Sequence, residues 1–371
     1  MSVPLSDAPT LHLRGNVLLD DDREVGDLWV RGGRVSLTRP SAQGAGMRVI
    51  EGWAMPGLVD VHCHIGLAAE GPVSPDIALR QAVADRDSGV LVVRDAGSPS
   101  DTRWVQSRGD LPRLIRSGAH LALAKRYLRN FAHELDDPSE LPAAVREQAL
   151  RGDGWVKLVG DWIDRSLPGG GDLTPLWPAD VLRRAVATAH AEAARVTVHT
   201  FATETIDDLL DAGVDGIEHG TGMTAAQMAR AADAGVPVTP TLLQVEQFEA
   251  IAARAEEKFP VYAKRMRHLH ARRYQQVRDL YDAGVRLLVG TDAGGTIGHG
   301  RIADECAELV AAGIPAAEVV ALASWRARSY LGLGSVVEGS SADLVVYPED
   351  PRENIDVLRH PTAIVLRGEV Y

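Results

Sequence analysis

The chain has 371 residues, of which 45% are hydrophobic and 24% are charged, so it is neither disordered nor fibrous. Its 39 basic and 51 acidic residues give a formal charge of −12, which disfavours nucleic acid and anionic membrane surfaces as partners. Two cysteines, Cys63 and Cys306, are too few for a disulfide framework, and no signal peptide or membrane span is predicted, so we expect a cytoplasmic protein.

Short alternating strands are predicted near both ends of the sequence. LHLRGNVLL and DLWVRGGRVSL lie within residues 1–54, and a Gly-Gly pair in the second segment indicates a hairpin. SVVEGSSADLVVY and TAIVLRGEVY lie within residues 334–371. Because a short terminal sheet has too little surface to bury by itself, we expect residues 1–54 and 334–371 to form one small β-sandwich domain.

Residues 55–333 alternate between apolar runs and helical segments. Such alternation predicts a (β/α)8 TIM barrel. The alternative is a doubly wound open sheet, but the sequence lacks the glycine fingerprint of nucleotide binding that is expected after a strand of such a sheet. The segment from Gln244 to Gly284 is charged and helical and is expected to cover the barrel mouth. PGGG at residues 168–171 is either a lid or a turn. The eight apolar runs are GLVDVHCH, GVLVVRDAG, LPRLIRSGAH, GWVKLVGDW, RVTVHT, DGIEHG, VPVTPTL and VRLLVGTDAG.

Four histidines and one aspartate lie at the ends of these predicted strands. His62 and His64 end the first run, where residues two apart point to the same face of a strand. His199, His219 and Asp292 end the fifth, sixth and eighth runs. Because all strands of a barrel end at one mouth, these side chains are predicted to converge there. Histidine nitrogens with a carboxylate suit zinc or a similar divalent ion.

Lys157 lies in the middle of the apolar run GWVKLVG. An unpaired ammonium buried there is disfavoured, so we expect the amine to lose its charge. A neutral amine can react with carbon dioxide to form a carbamate, and this anionic ligand is able to bridge two metal ions. The alternative is an interfacial lysine whose amine reaches water.

Three further residues are candidates for contact with a substrate. His120 ends the third run, and His299 follows Asp292 closely in the sequence, so both are predicted near the mouth. Tyr127 is a candidate for an aromatic pocket wall, as are the tryptophans at 155, 162 and 177. Basic residues follow the third strand and are either a carboxylate site or a solvated loop: Lys125, Arg126 and Arg129.

These motifs together resemble the amidohydrolase superfamily, in its binuclear branch with a carboxylated lysine. The resemblance rests on MPGLVDVHCH, GVDGIEHGTGM, GTDAG and LGLGSVVEGSSADLVVY, and it covers nearly the whole chain. VHTFATETIDDLLDAGVDGIEHG is most similar to the group of Xaa-Pro dipeptidases and imidazolonepropionase-like proteins. The resemblance to this superfamily implies two divalent ions, zinc foremost, with Lys157 as the carbamate that bridges them. The residues that would hold the ions are His62, His64, Lys157, His199, His219 and Asp292.

The resemblance also implies hydrolysis of an amide or other C–N bond by metal-activated hydroxide, in a dipeptide, an N-acyl amino acid or a cyclic amide. Asp292 would carry the proton from water to the leaving nitrogen. A deaminase is an alternative, with Glu204 as its glutamate, and so is a hydrolase of esters, lactones or phosphotriesters. A scaffold without activity is a further alternative. The expected partner is a small-molecule substrate, and a homo-oligomer is left open.

Overall fold

The computed structural model describes residues 10–40, 46–167 and 171–371. Part of the predicted 1–54 segment, and residues 168–170 of the PGGG sequence, lie outside these ranges. The strands are β1 (Leu11–Leu18), β2 (Glu24–Arg31), β3 (Arg34–Ser36), β4 (Arg48–Pro56), β5 (Leu58–Cys63), β6 (Leu67–Ala68), β7 (Gly71–Pro72), β8 (Val90–Asp95), β9 (Arg113–Arg116), β10 (Leu121–Leu123), β11 (His133–Leu135), β12 (Trp155–Val159), β13 (Asp161–Asp164), β14 (Asp172–Pro175), β15 (Arg195–Thr200), β16 (Gly216–His219), β17 (Val238–Thr239), β18 (Leu344–Tyr347), β19 (Ala363–Leu366) and β20 (Glu369–Val370).

The helices follow the same order along the chain. Three short 3-10 turns, Arg103–Ser107, Pro138–Glu140 and Ile355–Arg359, accompany them in the described residues. The α-helices are α1 (Pro75–Asp87), α2 (Leu141–Arg151), α3 (Ala179–Ala191), α4 (Thr203–Ala212), α5 (Ala225–Ala234), α6 (Leu242–Glu246), α7 (Phe248–Ala255), α8 (Pro260–Asp282), α9 (Ile302–Ala311), α10 (Ala316–Ala323) and α11 (Trp325–Tyr330).

The terminal segments share one seven-stranded sheet. Its order is β20-β19-β18-β4-β1-β2-β3, so β4 lies between a strand from each end of the sequence. β4 pairs parallel to β1 and antiparallel to β18. The Gly-Gly pair forms the expected hairpin between β2 and β3, with both glycines at positive φ. The pairing unites the two ends in a single hydrogen-bonded sheet, while their arrangement as a two-layered sandwich stays a prediction.

Between these segments, parallel strands alternate with helices in a TIM-barrel-like α/β fold. One sheet has the order β5-β8-β9 and another the order β11-β10-β12-β15-β16-β17. The eighth apolar run is not a regular strand, but it joins the two sheets. Its Leu287 bridges Val238 of β17, and the following Ala293 bridges Cys63 of β5. The third run, residues 111–120, contains β9, and β10 follows it directly. In the described residues these two strands belong to different sheets.

The long connection after β17 is helical, as the sequence predicts. Its helices α6 to α8 form an apolar cluster with residues next to the strand ends, including Phe201 and Ile163. Phe248 and Tyr262 of this connection are buried in that cluster. The connection therefore covers one side of the mouth where the strands end. Within the described residues, no helix is long and apolar enough to cross a bilayer.

Candidate active site

The strand ends bring the predicted ligands into one buried cluster. His62 belongs to β5, Lys157 to β12, His199 to β15 and His219 to β16, and each is no more than 3% exposed. Asp292 lies near the end of the eighth run, and its side chain is 16% exposed. Parallel strands that end at a common mouth thus place residues from distant parts of the sequence side by side.

Asp292 lies between the two histidines of the first strand. Its Oδ1 atom is 3.2 Å from Nε2 of His62 and 3.1 Å from Nε2 of His64. The ligand atoms of these three residues all lie within 4.8 Å of one another. The Nζ atom of Lys157 is 3.4 Å from Nε2 of His62, so the lysine borders this group.

His199 and His219 form a second pair of nitrogen donors. Nδ1 of His199 lies 2.9 Å from Nε2 of His219. The ring centroid of His219 is 5.1 Å from that of His62, which connects the second pair to the first group. The cluster therefore offers two adjacent sets of donor atoms.

Hydrogen bonds behind the histidines fix the nitrogen that carries the proton in two of them. Nδ1 of His64 lies 2.5 Å from the carbonyl oxygen of Gly97, which can only accept, so this nitrogen donates. The Thr241 hydroxyl donates to the carbonyl of Pro240 and therefore accepts from Nδ1 of His219 at 2.6 Å. The Nε2 lone pairs of both rings are thus left to face the centre, as metal ligands require.

The third histidine is held by a buried carboxylate. Oε2 of Glu218 lies 2.9 Å from Nδ1 of His62. Oε1 of Glu218 lies 2.5 Å from Nη2 of Arg94, whose Nε donates to the carbonyl of Val61 at 2.6 Å. The Arg94 guanidinium also lies 4.8 Å from the ring centroid of Trp155. This chain of contacts anchors the His62 ring from behind.

Glu218 and Arg94 were not predicted as functional residues. Both stand inside apolar runs, in DGIEHG and GVLVVRDAG, where a charge is as unusual as that of Lys157. That placement was the signal available in the sequence. Their partners, however, come from different strands, so the sequence alone did not show what they bind.

Burial determines the charge of most groups in the cluster. It lowers the pKa values of His64, His199 and His219, which favours neutral rings that can bind a cation. Burial also lowers the pKa of Lys157 to about 8. Burial opposes the charge of Asp292, but His62, His64 and His219 together outweigh it and hold the pKa of this carboxyl well below its usual value.

The eighth run must approach the first strand closely to place Asp292. A Cβ atom at Gly290 would lie 2.6 Å from Cβ of His62, and one at Gly294 would lie 2.4 Å from the carbonyl oxygen of His64. His219 and Asp292 themselves have positive φ angles of 68° and 57°. Such backbone conformations are uncommon outside glycine and are often found at functional sites.

A cavity of about 410 Å³ opens onto the cluster. His64, His199 and Asp292 are the least exposed polar residues of the cluster in this lining and form its floor, and Asp292 is the acidic residue among the described lining. Its walls are largely aromatic, from Tyr127, Phe131, Trp162, Phe201, Phe259 and Tyr262. The lining also includes three exposed basic residues: Arg165, Arg254 and Lys258.

The three predicted substrate contacts occupy different places. Tyr127 lines the cavity, with its ring 5.7 Å from that of His199. His120 is buried behind Tyr127, and its ring lies 5.7 Å from that of His64. His299 is turned away from the cavity lining, because its Nδ1 atom lies 2.8 Å from Oδ2 of Asp85 in α1.

Two other sets of candidate residues have structural partners. Arg126 donates to the carbonyl oxygens of Trp162 and Thr174, which ties it to the β13–β14 hairpin. Lys125 and Arg129 lie outside the cavity lining, in a surface groove that shares Tyr127 and Arg165 with it. Glu204, the candidate of a deaminase, is bound by Arg265 on the outside of α4.

The family model "Amidohydrolase family" matches residues 53–370 of the chain. Two relatives are the uncharacterized proteins Rv2915c of Mycobacterium tuberculosis (strain ATCC 25618 / H37Rv) and Mb2939c of Mycobacterium bovis (strain ATCC BAA-935 / AF2122/97). Each is 50% identical over 368 residues, covering 99% of this chain and 97% of the relative. The chain therefore belongs to the amidohydrolase family and is a hydrolase that acts on carbon–nitrogen bonds.

Solved structures resemble this one along nearly the whole chain. A Xaa-Pro dipeptidase with methionine bound in its active site has a TM-score of 0.82 at 22% identity, covering 97% of this chain and 99% of that one. The ochratoxinase of A. niger has a TM-score of 0.79 at 20% identity, covering 98% and 96%. These likenesses support the TIM-barrel-like fold.

Proposed function

We propose that the chain is a binuclear metal-dependent hydrolase of an amide or other C–N bond in a small molecule. The observation that carries this proposal is the convergence of two donor sets at the floor of one cavity, with Lys157 beside them. His62, His64 and Asp292 would hold one ion, and His199 and His219 the other. Nitrogen and carboxylate donors suit zinc.

The residues present fit such ions. Because Gly97 and Thr241 bind the Nδ1 atoms of His64 and His219, the Nε2 lone pairs of these rings are free for a cation. The buried carboxylate of Glu218 holds the Nδ1 atom of His62 in the same way. Bound divalent ions would supply an acidic water and polarise the carbonyl of the substrate.

Lys157 is suited to form the bridging carbamate. Its pKa of about 8 leaves part of the amine neutral near physiological pH. The neutral Nζ forms a bond to the carbon of carbon dioxide and loses one proton to solvent, which leaves an anionic group with two oxygens. This reaction turns the unfavourable buried cation into a ligand, and it explains why an apolar strand contains a lysine.

Asp292 is the residue proposed to move the proton. It lines the cavity while Oδ1 faces His62 and His64, so its carboxylate reaches both the ligand set and the substrate. Its low pKa keeps it ionised, ready to accept a proton from water and to deliver it to the leaving nitrogen. Tyr127 and His120 remain proposed substrate contacts, whereas the pairing of His299 with Asp85 gives that residue no such support.

The alternatives are less well supported. Glu204, the glutamate that a deaminase would need at its active site, is instead bound by Arg265. Hydrolysis of esters, lactones or phosphotriesters uses the same groups and stays a second candidate. The two cysteines are free and buried, which accords with the proposed cytoplasmic location.

Elemental analysis combined with an activity screen tests the proposal. Protein prepared with zinc and bicarbonate should hold two ions per chain, and removal of the ions should abolish hydrolysis of the best amide in a panel of dipeptides, N-acyl amino acids, cyclic amides and lactones. Full activity after complete removal of metal would contradict the proposal.

A further inference from the structure

The lining of the cavity has an uneven distribution of charge. Its floor carries Asp292, whereas the basic residues Arg165, Arg254 and Lys258 belong to its outer part, where all three are exposed to solvent. The chain as a whole has a formal charge of −12, yet the exposed residues of the described lining include three cations and no carboxylate. They create a positive rim around the entrance.

The rim cations are free of carboxylate partners within the described residues. No ion pair involves Arg165, Arg254 or Lys258 in that part of the chain. Other arginines of the same covering helices are paired: Arg265 with Asp172 and Glu204, and Arg267 with Glu249 and Glu256. Available cations at the entrance of a cavity are suited to bind an anion.

An aromatic layer separates the rim from the floor. The ring of Phe248 at the start of α7 lies 4.7 Å from that of Phe201, which lies 4.4 Å from that of His199. Arg254 follows Phe248 by six positions on the same helix, a rise of about 9 Å. The exposed rim cations and the buried donor atoms thus occupy different parts of the lining, and an anion bound at the rim would not lie among the donors.

We propose that the substrate is an amphipathic amide whose carboxylate, or another anionic group, is separated from the scissile C–N bond by an apolar or aromatic spacer. The inference rests on the proposed function. The spacer packs between Tyr127, Trp162 and Phe259, while the anion binds Arg254 and Lys258. An α-carboxylate next to the scissile nitrogen would lie in the aromatic layer, short of the rim cations.

A series of N-benzoyl amides tests the position of the charge. In the derivatives of glycine, γ-aminobutyrate and ε-aminocaproate, the carboxylate moves progressively away from the same amide bond. We expect kcat/KM to rise along the series, and to exceed that of the matched alcohol, which has a hydroxymethyl group in place of the carboxylate. A preference for the glycine derivative, or equal rates for acid and alcohol, would overturn the inference.

Variants of the rim cations test whether these residues cause the preference for the acid over the alcohol. In the double variant Arg254→Gln and Lys258→Gln, the ratio of kcat/KM for the long acid over its alcohol should fall by about 10-fold, as expected for charge-assisted contacts at a solvated surface. Lys264→Gln is the matched control, because Lys264 is exposed on α8 outside the cavity lining. An unchanged ratio in the double variant would refute the assignment.

A binding measurement separates this inference from the proposed function. Calorimetry with ε-phenylcaproate and its matched alcohol needs no turnover. Tighter binding of the acid, weakened about 10-fold in the double variant and by added salt, supports the anion site even if no amide is hydrolysed. Equal binding of acid and alcohol contradicts the anion site, even if amides are hydrolysed.

Discussion

Oε2 of Glu218 lies 2.9 Å from Nδ1 of His62, and the other carboxylate oxygen is held by Arg94. All three side chains are about 1% exposed, so the contacts form in a medium where charges interact strongly. Burial opposes the charge on Glu218, but Arg94 and His62 keep the pKa of this carboxyl well below its usual value. The carboxylate therefore stays ionised and directs Nε2 of His62 towards Asp292.

The contact between Glu218 and His62 gives a first prediction. Glu218→Gln removes the charge that fixes the His62 ring, so we expect metal affinity to fall by about 10- to 100-fold, measured by competition with a chelator. Glu305→Gln is the control, because this buried glutamate accepts from the backbone of Leu242 and Leu243 and contacts none of the four histidines. Equal affinities in the two variants would refute the role of Glu218.

The second prediction separates proton transfer from metal binding. Asp292→Asn keeps the shape of the side chain and one oxygen donor but removes the basic form. We expect kcat to fall by roughly 10²- to 10³-fold, with much of the metal retained, because no group is left to carry the proton. The acid limb of the pH profile should move or disappear. Loss of metal with unchanged kcat in the remaining holoenzyme would make Asp292 a plain ligand.

The third prediction concerns the carbamate. Lys157→Ala should lose bridging and activity, and high concentrations of a short carboxylic acid should restore part of both by supplying the missing oxygens. Lys157→Arg should stay inactive under the same conditions, because a guanidinium keeps its charge and forms no carbamate. Activity near that of the wild type in the arginine variant would contradict the carbamate.

The fourth prediction follows from the lowered pKa of Lys157 in metal-free protein kept without carbon dioxide. Below pH 8, the folded and unfolded states both hold the proton, and the folded state bears the cost of the buried charge. As pH rises from about 8 to 10.5, the ordinary pKa of a lysine, the folded state loses its proton first and stability increases. Lys157→Met should thus be more stable than the wild type by about 3 kcal/mol at pH 7, and this advantage should vanish towards pH 10.5.

Chemical unfolding of both proteins across this pH range checks the fourth prediction. Lys258→Met provides the control, since Lys258 is exposed and its replacement removes no buried charge. A stability difference between Lys157→Met and the wild type that does not change with pH would show that burial of the charge is not its cause.

The alternation of strands and helices was predictable because each buried parallel strand is a short apolar run. β5, β8, β12, β15 and β16 confirm five of these runs. The break between β9 and β10 was not predictable, since apolar residues continue on both sides of Gly118, whose φ is 71°. The eighth run also looks like a strand in the sequence, yet its contacts to both neighbours are isolated bridges.

The convergence of ligands was predictable for a similar reason, because strand ends of a barrel meet. The residues behind them were not, since Thr241 reaches His219 and Glu218 reaches His62 only through the spacing of neighbouring strands. The structure also places His299 differently from the position that its sequence neighbours suggested. Its closeness to Asp292 in sequence suggested the mouth, but the chain turns at Gly294, where φ is 115°, and pairs His299 with Asp85.

The position of β4 has a consequence for synthesis of the chain. This strand runs directly into β5, which carries His62, and one of its two edges is covered only by β18, from residues 344–347. A ribosome thus makes the whole barrel segment before that edge is closed. During this interval, the growing chain presents an open strand edge, which is the kind of surface that pairs with other chains and leads to aggregation.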